Sequence, residues 1–302
     1  GVDLEIGERQ IFGLVGPNGA GKTTTLRMLA TSLVPTAGEA EVCGIDVIRH
    51  PDAVRRVIGY MPDTFGVYDD IRVWEYLDFY AGCHGLGGAA RKRVVADLLE
   101  LVDLAAKRDA YVQSLSRGMQ QRLCLAHALV HEPAVLLLDE PASGLDPRAR
   151  AELRELLREL RAMGRTIVIS SHILPELEEL CDGVAIIDRG RVLAAGSMDA
   201  IRARSRAGSA SVLRLLGDQH ELDAAVRFLA LQPEVAGVTP LEANRVEIAL
   251  AGDDEATAAL LARTTAAGHR VVSFVPVASD LEELFLRITG EPDPGPAVEA
   301  VA

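Results

Sequence analysis

The sequence predicts an α/β fold over residues 1–205, followed by a small α+β domain over 211–290. Three observations predict it. Short apolar runs (Ile11–Val15, Val57–Met61, Ala134–Leu138 and Thr166–Ser170) read as strands buried on both faces, with helical stretches between them. The first run leads into Gly16-Pro17-Asn18-Gly19-Ala20-Gly21-Lys22-Thr23-Thr24, which fits the phosphate-binding pattern G-x-x-x-x-G-K-[ST] without a mismatch. Beyond residue 210 the order becomes β-α-β-β-α-β, that of a ferredoxin-like domain.

The loop stands where its chemistry needs it, between a buried strand and the helical stretch Thr25–Ala30. Glycines let the backbone turn tightly and aim successive N–H groups inward, and the helix start adds partial positive charge. Lys22 can reach the β- and γ-phosphates, and the Thr23 hydroxyl can ligate Mg²⁺.

Composition narrows the class. The 302 residues are 49% apolar and 25% charged, as in ordinary globular proteins, with a net charge of −13. Only Lys22, Lys92 and Lys107 are lysines, so no basic footprint for a nucleic acid is present. No apolar run approaches the roughly 20 residues of a membrane span, and the opening Gly-Val-Asp-Leu-Glu lacks a secretory pattern. Cys43, Cys83, Cys124 and Cys181 show no C-x-x-C spacing and read as reduced thiols of an intracellular chain.

Taken in order, residues 2–15 predict a strand, a turn at Gly7-Glu8 and the strand feeding the loop. Short strands alternate with turns over 31–48, and Val57–Met61 ends at Pro62-Asp63. Seven of the twelve aromatics then fall between Tyr60 and Tyr80 (with Phe65, Tyr68, Trp74, Tyr76 and Phe79), a density that suits either a core or a docking surface. Residues 73–105 read as helix broken between Gly82 and Gly88, and another helix runs from Leu115-Ser116-Arg117-Gly118-Met119-Gln120-Gln121-Arg122 to about Val130. The apolar strand Ala134–Leu138 ends in Asp139-Glu140, two acids whose burial is costly unless a cation compensates. Mg²⁺ held by Thr23 and Asp139 would do so. Asp146-Pro147 caps a helix with Leu153, Leu156, Leu157 and Leu160 on one face and Gly164 at its end. Strand Thr166–Ser170 is followed by Ser171-His172, at the sheet edge where ligands bind in open α/β folds. A hairpin, Val184–Asp188 with Arg191–Ala195, closes the first domain, and 205–210 read as a linker. The second domain is expected to hold strands over 211–216, 235–240, 244–250 and 270–276, with helices over 221–231, 253–267 and 279–289. The tail 291–302 is expected to be disordered.

The fixed order of phosphate loop, Leu115–Gln121, Leu138-Asp139-Glu140-Pro141, Ser143-Gly144-Leu145-Asp146 and Ser171-His172 resembles the nucleotide-binding subunit of an ATP-binding-cassette (ABC) transporter. The resemblance covers residues 1 to about 205. Residues 211–290 are similar, more weakly, to the C-terminal appendage of subunits from bacterial exporters of drugs, lipids or glycans. It implies a P-loop NTPase (RecA-like) core with an inserted helical subdomain over about 73–130. It also implies two chains, identical or paralogous, facing head to tail around two ATPs.

In that arrangement Gly16, Pro17, Asn18, Gly19, Ala20, Gly21, Lys22, Thr23 and Thr24 would cradle the phosphates of one ATP. Ser116 and Gly118 of the other chain would complete the site. Asp139 would hold Mg²⁺ together with Thr23, Glu140 would be the general base, and His172 would contact the γ-phosphate. Ser143–Asp146 would couple the two sites. The resemblance further implies a separate membrane permease as partner, with the chain peripheral on the cytoplasmic face of the membrane and no nucleic-acid partner. In relatives the region matching the aromatic patch docks the permease, which gives Phe65, Tyr68 and Trp74 an expected role.

Two departures stand out. Asp63 occupies the place of the family's glutamine; shorter and anionic, it can approach Mg²⁺ or the water but repels an unshielded phosphate. The family's adenine-stacking aromatic lies further upstream of the loop than this sequence reaches, so an N-terminal strand is expected to be missing. Two other readings are a soluble ABC ATPase acting on DNA or ribosomes, and a regulatory ATP-binding subunit with blunted hydrolysis. Asp63 stays a catalytic candidate beside Glu140 and His172, and the latter two argue against a dead site. From the second departure, an N-terminally extended chain is expected to bind ATP more tightly than residues 1–302, as a binding titration would read; equal affinity would contradict it.

Overall fold

The computed structural model describes residues 1–64, 66, 70–201, 210–250 and 254–276. The chain divides into two compact units, Gly1–Met198 and Asp199–Ala302.

In the first unit the apolar runs become strands of a six-stranded sheet in the order β4-β5-β6-β1-β7-β8, with the Val57–Met61 run at its edge. These are β1 (Ile11–Val15), β4 (Ile58–Met61), β5 (Val135–Asp139), β6 (Thr166–Ser171), β7 (Gly183–Asp188) and β8 (Arg191–Ser197). The first five are mutually parallel, and β8 joins β7 as an antiparallel hairpin. A separate hairpin, β2 (Glu41–Val42) with β3 (Ile45–Asp46), precedes β4.

Alternate residues of each strand face opposite layers. Phe12, Leu14, Leu137, Val168, Ala185 and Ile187 pack with Leu26 of α1 (Lys22–Leu29) and Val54 of α2 (Pro51–Val57). On the other face Ile169 meets Leu153 and Leu157 of α6 (Pro147–Ala162) and Leu177 and Leu180 of α7 (Leu174–Leu180). Helix α6 begins where Asp146 accepts a hydrogen bond from the Ala149 N–H, with Pro147 at its first position. The helical break expected between Gly82 and Gly88 separates α3 (Val73–Cys83) from α4 (Gly88–Leu101), and both pack with α5 (Arg117–Leu129).

The strand expected ahead of Gly7 belongs to no sheet among the described residues. Val2, Leu4 and Ile6 are half-buried and alternate with exposed Asp3 and Glu5, and Leu4 and Ile6 lie against the core cluster. The alternation is that of a strand; a ladder partner is what the segment lacks.

In the second unit β9 (Ala210–Leu215), β10 (Val235–Leu241), β11 (Arg245–Leu250) and β12 (Val271–Pro276) form an antiparallel sheet in the order β10-β11-β9-β12. With α8 (Gln219–Leu229) after the first strand and α9 (Asp254–Ala266) after the third, this is the ferredoxin-like arrangement. Asp218 and Glu221 form a capping box at the start of α8, and Leu213, Leu222, Leu229, Val246, Ile248 and Leu260 make the core. Of the linker expected over 205–210, residues 205–209 lie outside the described residues, as do the helix expected over 279–289 and the tail from 291.

The aromatic patch divides. Phe65 and Tyr68 lie outside the described residues, whereas Tyr76 is buried and Tyr80 stacks on His127 of α5 with ring centroids 3.7 Å apart. His84 stacks on His131 at 4.0 Å. Burial lowers the pKa of all three histidines; for His127, with the neighbouring His84 and His131 adding to the effect, it falls from 6.5 to about 4. The folded state therefore favours the neutral ring. The unfolded chain binds a proton below pH 6.5 and the folded chain only below about 4, so this stability is complete above 6.5 and lost as pH falls between them. Acidification from about pH 7 to about pH 5 should cost His127→Gln about 2 kcal/mol less than the unaltered chain, read by denaturant unfolding. Equal slopes would place the acid sensitivity elsewhere.

Candidate functional site

The parallel register brings the site together. Asp139 at the end of β5 lies opposite Ser170 of β6, which lies opposite Leu14 of β1, two residues before the phosphate loop. A Cβ on Gly16 would stand 2.1 Å from the carbonyl oxygen of Ile187, so the loop leaves β1 against β7 where only glycine fits. Gly21 caps α1 at φ 108° with no side-chain cap, which leaves the N–H groups of the first turn open to an anion.

Lys22 is 5% exposed. Its Nζ donates to the carbonyls of Gly16 at 2.6 Å and Pro17 at 3.3 Å, and stands 3.3 Å from Glu140 Oε1. The other carboxylate oxygen of Glu140 lies 2.8 Å from His172 Nδ1. Glu140 follows its strand at φ 48°, a left-handed turn that aims its carboxylate away from the strand direction.

Asp139, 1% exposed, accepts hydrogen bonds at Oδ1 from Thr23 Oγ1 (3.0 Å) and Ser170 Oγ (2.7 Å). Its Oδ2 is buried with no hydrogen-bond partner among the described residues. A buried anionic oxygen left unpaired is costly, and a hard cation resolves it. The carboxylate of Asp139 and the hydroxyl of Thr23 are both oxygen donors of the kind that Mg²⁺ takes alongside phosphate and water, so these residues fit the ion.

The structure thus gathers Lys22, Thr23, Asp139, Glu140 and His172 at one sheet edge. Ser116 and Gly118 sit elsewhere, at the start of α5, where Ser116 Oγ accepts the Met119 N–H at 3.3 Å. That helix is tied to the Ser143–Asp146 segment: Gln121 Nε2 donates to the Ser143 carbonyl at 3.0 Å, and Gly118 lies against Leu145 and Ala149. Asp63 is exposed beyond β4 and takes no part in the hydrogen bonds joining the other acids. Trp74 lines a groove of 710 Å³ with Asp78, Arg91, Lys92, Val95 and Arg108, and the Arg108 guanidinium lies over its ring. Ser170 is the site residue that sequence reading missed. A serine inside a strand has no spacing signal, and only the strand order sets it beside Asp139.

A glycine loop around a sealed lysine, an open helix N-terminus and paired acids at the end of β5 define a phosphate-loop ATPase. Comparison with known proteins agrees. Residues 1–143 match the family described as ABC transporter. Daunorubicin resistance ATP-binding protein DrrA3 of Streptomyces coeruleorubidus is 38% identical over 293 residues, spanning 96% of this chain and 90% of that protein. Nod factor export ATP-binding protein I of Ralstonia nicotianae is 36% identical over 293 residues, 96% and 88% of the two chains. A solved dimer of an ATP-binding cassette in a post-hydrolysis state, bound to ADP and Pi, is 25% identical with a TM-score of 0.60, covering 65% of this chain and 89% of that one. The chain belongs to the ATP-binding subunits of the ABC transporter family, and it is an ATPase.

Glu140 faces Lys22 where a phosphate would otherwise meet the cation. Glu140→Gln should therefore bind ATP several-fold more tightly in the absence of divalent cations, measured by displacement of a fluorescent ATP analogue. Unchanged or weaker binding would show that the carboxylate does not compete.

Proposed function

We propose that the chain works as one half of a two-chain ATPase that drives a separate membrane permease to export a drug, lipid or glycan. The observation that carries this reading is the paired state of the site: Lys22 is neutralised by Glu140, while Asp139 Oδ2 is buried and unsatisfied. Arriving ATP would give Lys22 its γ-phosphate in place of Glu140, freeing that carboxylate to accept a proton from the attacking water. Thr23 and Asp139 would hold the Mg²⁺, whose charge offsets that of the β- and γ-phosphates. His172, released from Glu140, would steady the γ-phosphate.

Ser116 and Gly118 of a second copy, or of a paralogous chain, would close over the same phosphate. The tie between Gln121 and Ser143 supports a coupling role for 143–146, because it links the start of α5 to the segment that follows Glu140. Closure on ATP and reopening after hydrolysis would move the permease between two states. Asp63 stands beyond the end of β4, and Tyr60 on that strand feels the charges of both Asp63 and Asp139. From there Asp63 would approach the Mg²⁺ or the water only after closure. No helix among the described residues is long and apolar enough to cross a membrane, which fits a peripheral place on the cytoplasmic face. The groove at Trp74 would receive a segment of the permease, with Phe65 and Tyr68 beside it in sequence. Two relatives support the export reading by name, one a daunorubicin resistance and the other a Nod factor export ATP-binding protein.

Gentle detergent extraction from native membranes should recover the chain with a multi-span protein that stimulates its ATPase severalfold, and Trp74→Ala should weaken that association. Recovery as a free chain with unstimulated turnover would favour a non-transport ATPase, and negligible turnover equal to that of Glu140→Gln would favour a regulatory subunit.

A further inference from the structure

We infer that Ser170 is a positioning residue for the ATPase reaction: one hydroxyl fixes the direction of both acids that end β5. The residue is wholly buried on β6, directly opposite Asp139 in the parallel register. Its Oγ donates to Asp139 Oδ1 at 2.7 Å and accepts the Glu140 N–H at 2.9 Å. Both bonds matter for geometry. With Thr23 and Ser170 both donating to Oδ1, the Asp139 carboxylate is held so that Oδ2 is the oxygen left open. Without Ser170 the carboxylate can rotate about its terminal torsion, which is broad for aspartate.

The Glu140 N–H has the opposite problem. At φ 48° the backbone has left the strand, and its donor goes to the Ser170 oxygen. That bond holds the left-handed peptide whose side chain reaches Lys22 and His172. A serine, donor and acceptor at once, serves both; valine or alanine at this place serves neither.

This inference rests on the reading of Asp139 as the residue that holds Mg²⁺. The test uses Ser170→Thr and Ser170→Val, which match in volume and differ by the hydroxyl, together with Ser170→Ala and Asp139→Asn in the full chain. Mn²⁺ binding in the presence of ADP is followed by electron paramagnetic resonance, and ATP turnover and melting temperature are measured beside it. Ser170→Val and Ser170→Ala should bind Mn²⁺ about tenfold more weakly and lose about tenfold in kcat, with KM for ATP changed less than about threefold. Ser170→Thr should stay within about threefold of the unaltered chain in every readout. Equal Mn²⁺ affinity and kcat in Ser170→Thr and Ser170→Val, with only melting temperatures differing, would overturn the positioning role. Unchanged Mn²⁺ binding in Asp139→Asn would overturn the metal reading beneath it.

Discussion

Lys22 is a cation sealed at the edge of a parallel sheet, and the rest of the site answers to that charge. A buried ammonium must be hydrogen-bonded and paired or it gives up its proton. Two loop carbonyls and Glu140 satisfy it in this structure, and His172 takes the other oxygen of Glu140. A phosphate would compete for the same cation, so in the proposed mechanism the ligand displaces an internal partner instead of filling an indifferent space. Binding would thereby change the surroundings of Glu140 and His172, the two side chains proposed to act next.

The fold supplies this arrangement through register. Parallel pairing of β1, β6 and β5 sets Leu14, Ser170 and Asp139 in one row, so the loop, the buried acid and the serine meet without any long side chain reaching across the sheet. Helix α1 then delivers Thr23 to the same carboxylate. The helices α3, α4 and α5 stand outside this row and bring Ser116 and Gly118 to a surface of their own. The proposed closure by Ser116 and Gly118 therefore calls for a second chain, since in this one neither shares the hydrogen bonds that join Lys22, Thr23, Asp139 and Glu140.

Much of this was legible in the sequence, because the features that place it are local. The phosphate loop is a contiguous run, the apolar strands are short and bounded, and Asp146-Pro147 and Gly164 mark both ends of α6 as their chemistry requires. The β-α-β-β-α-β order of the second unit was readable for the same reason. What escaped depends on contacts between distant segments. Segment 2–6 has the alternation of a strand, yet pairing needs a neighbour that no periodicity reveals. Ser170 gains its meaning from Asp139, thirty-one residues away. The stacking of Tyr80 on His127 and of His84 on His131 joins the end of α3 to α5, and it turns part of the aromatic patch into packing that composition alone left undecided.

The most direct test of a site completed only between chains is the ATPase rate per chain as a function of chain concentration, at saturating ATP and Mg²⁺. Specific activity should rise with concentration and level off as pairs form, with Ser116→Arg abolishing the rise. A specific activity constant across a thousandfold dilution down to nanomolar chain, and indifferent to Ser116→Arg, would mean that each chain hydrolyses ATP by itself and would contradict a site completed between chains.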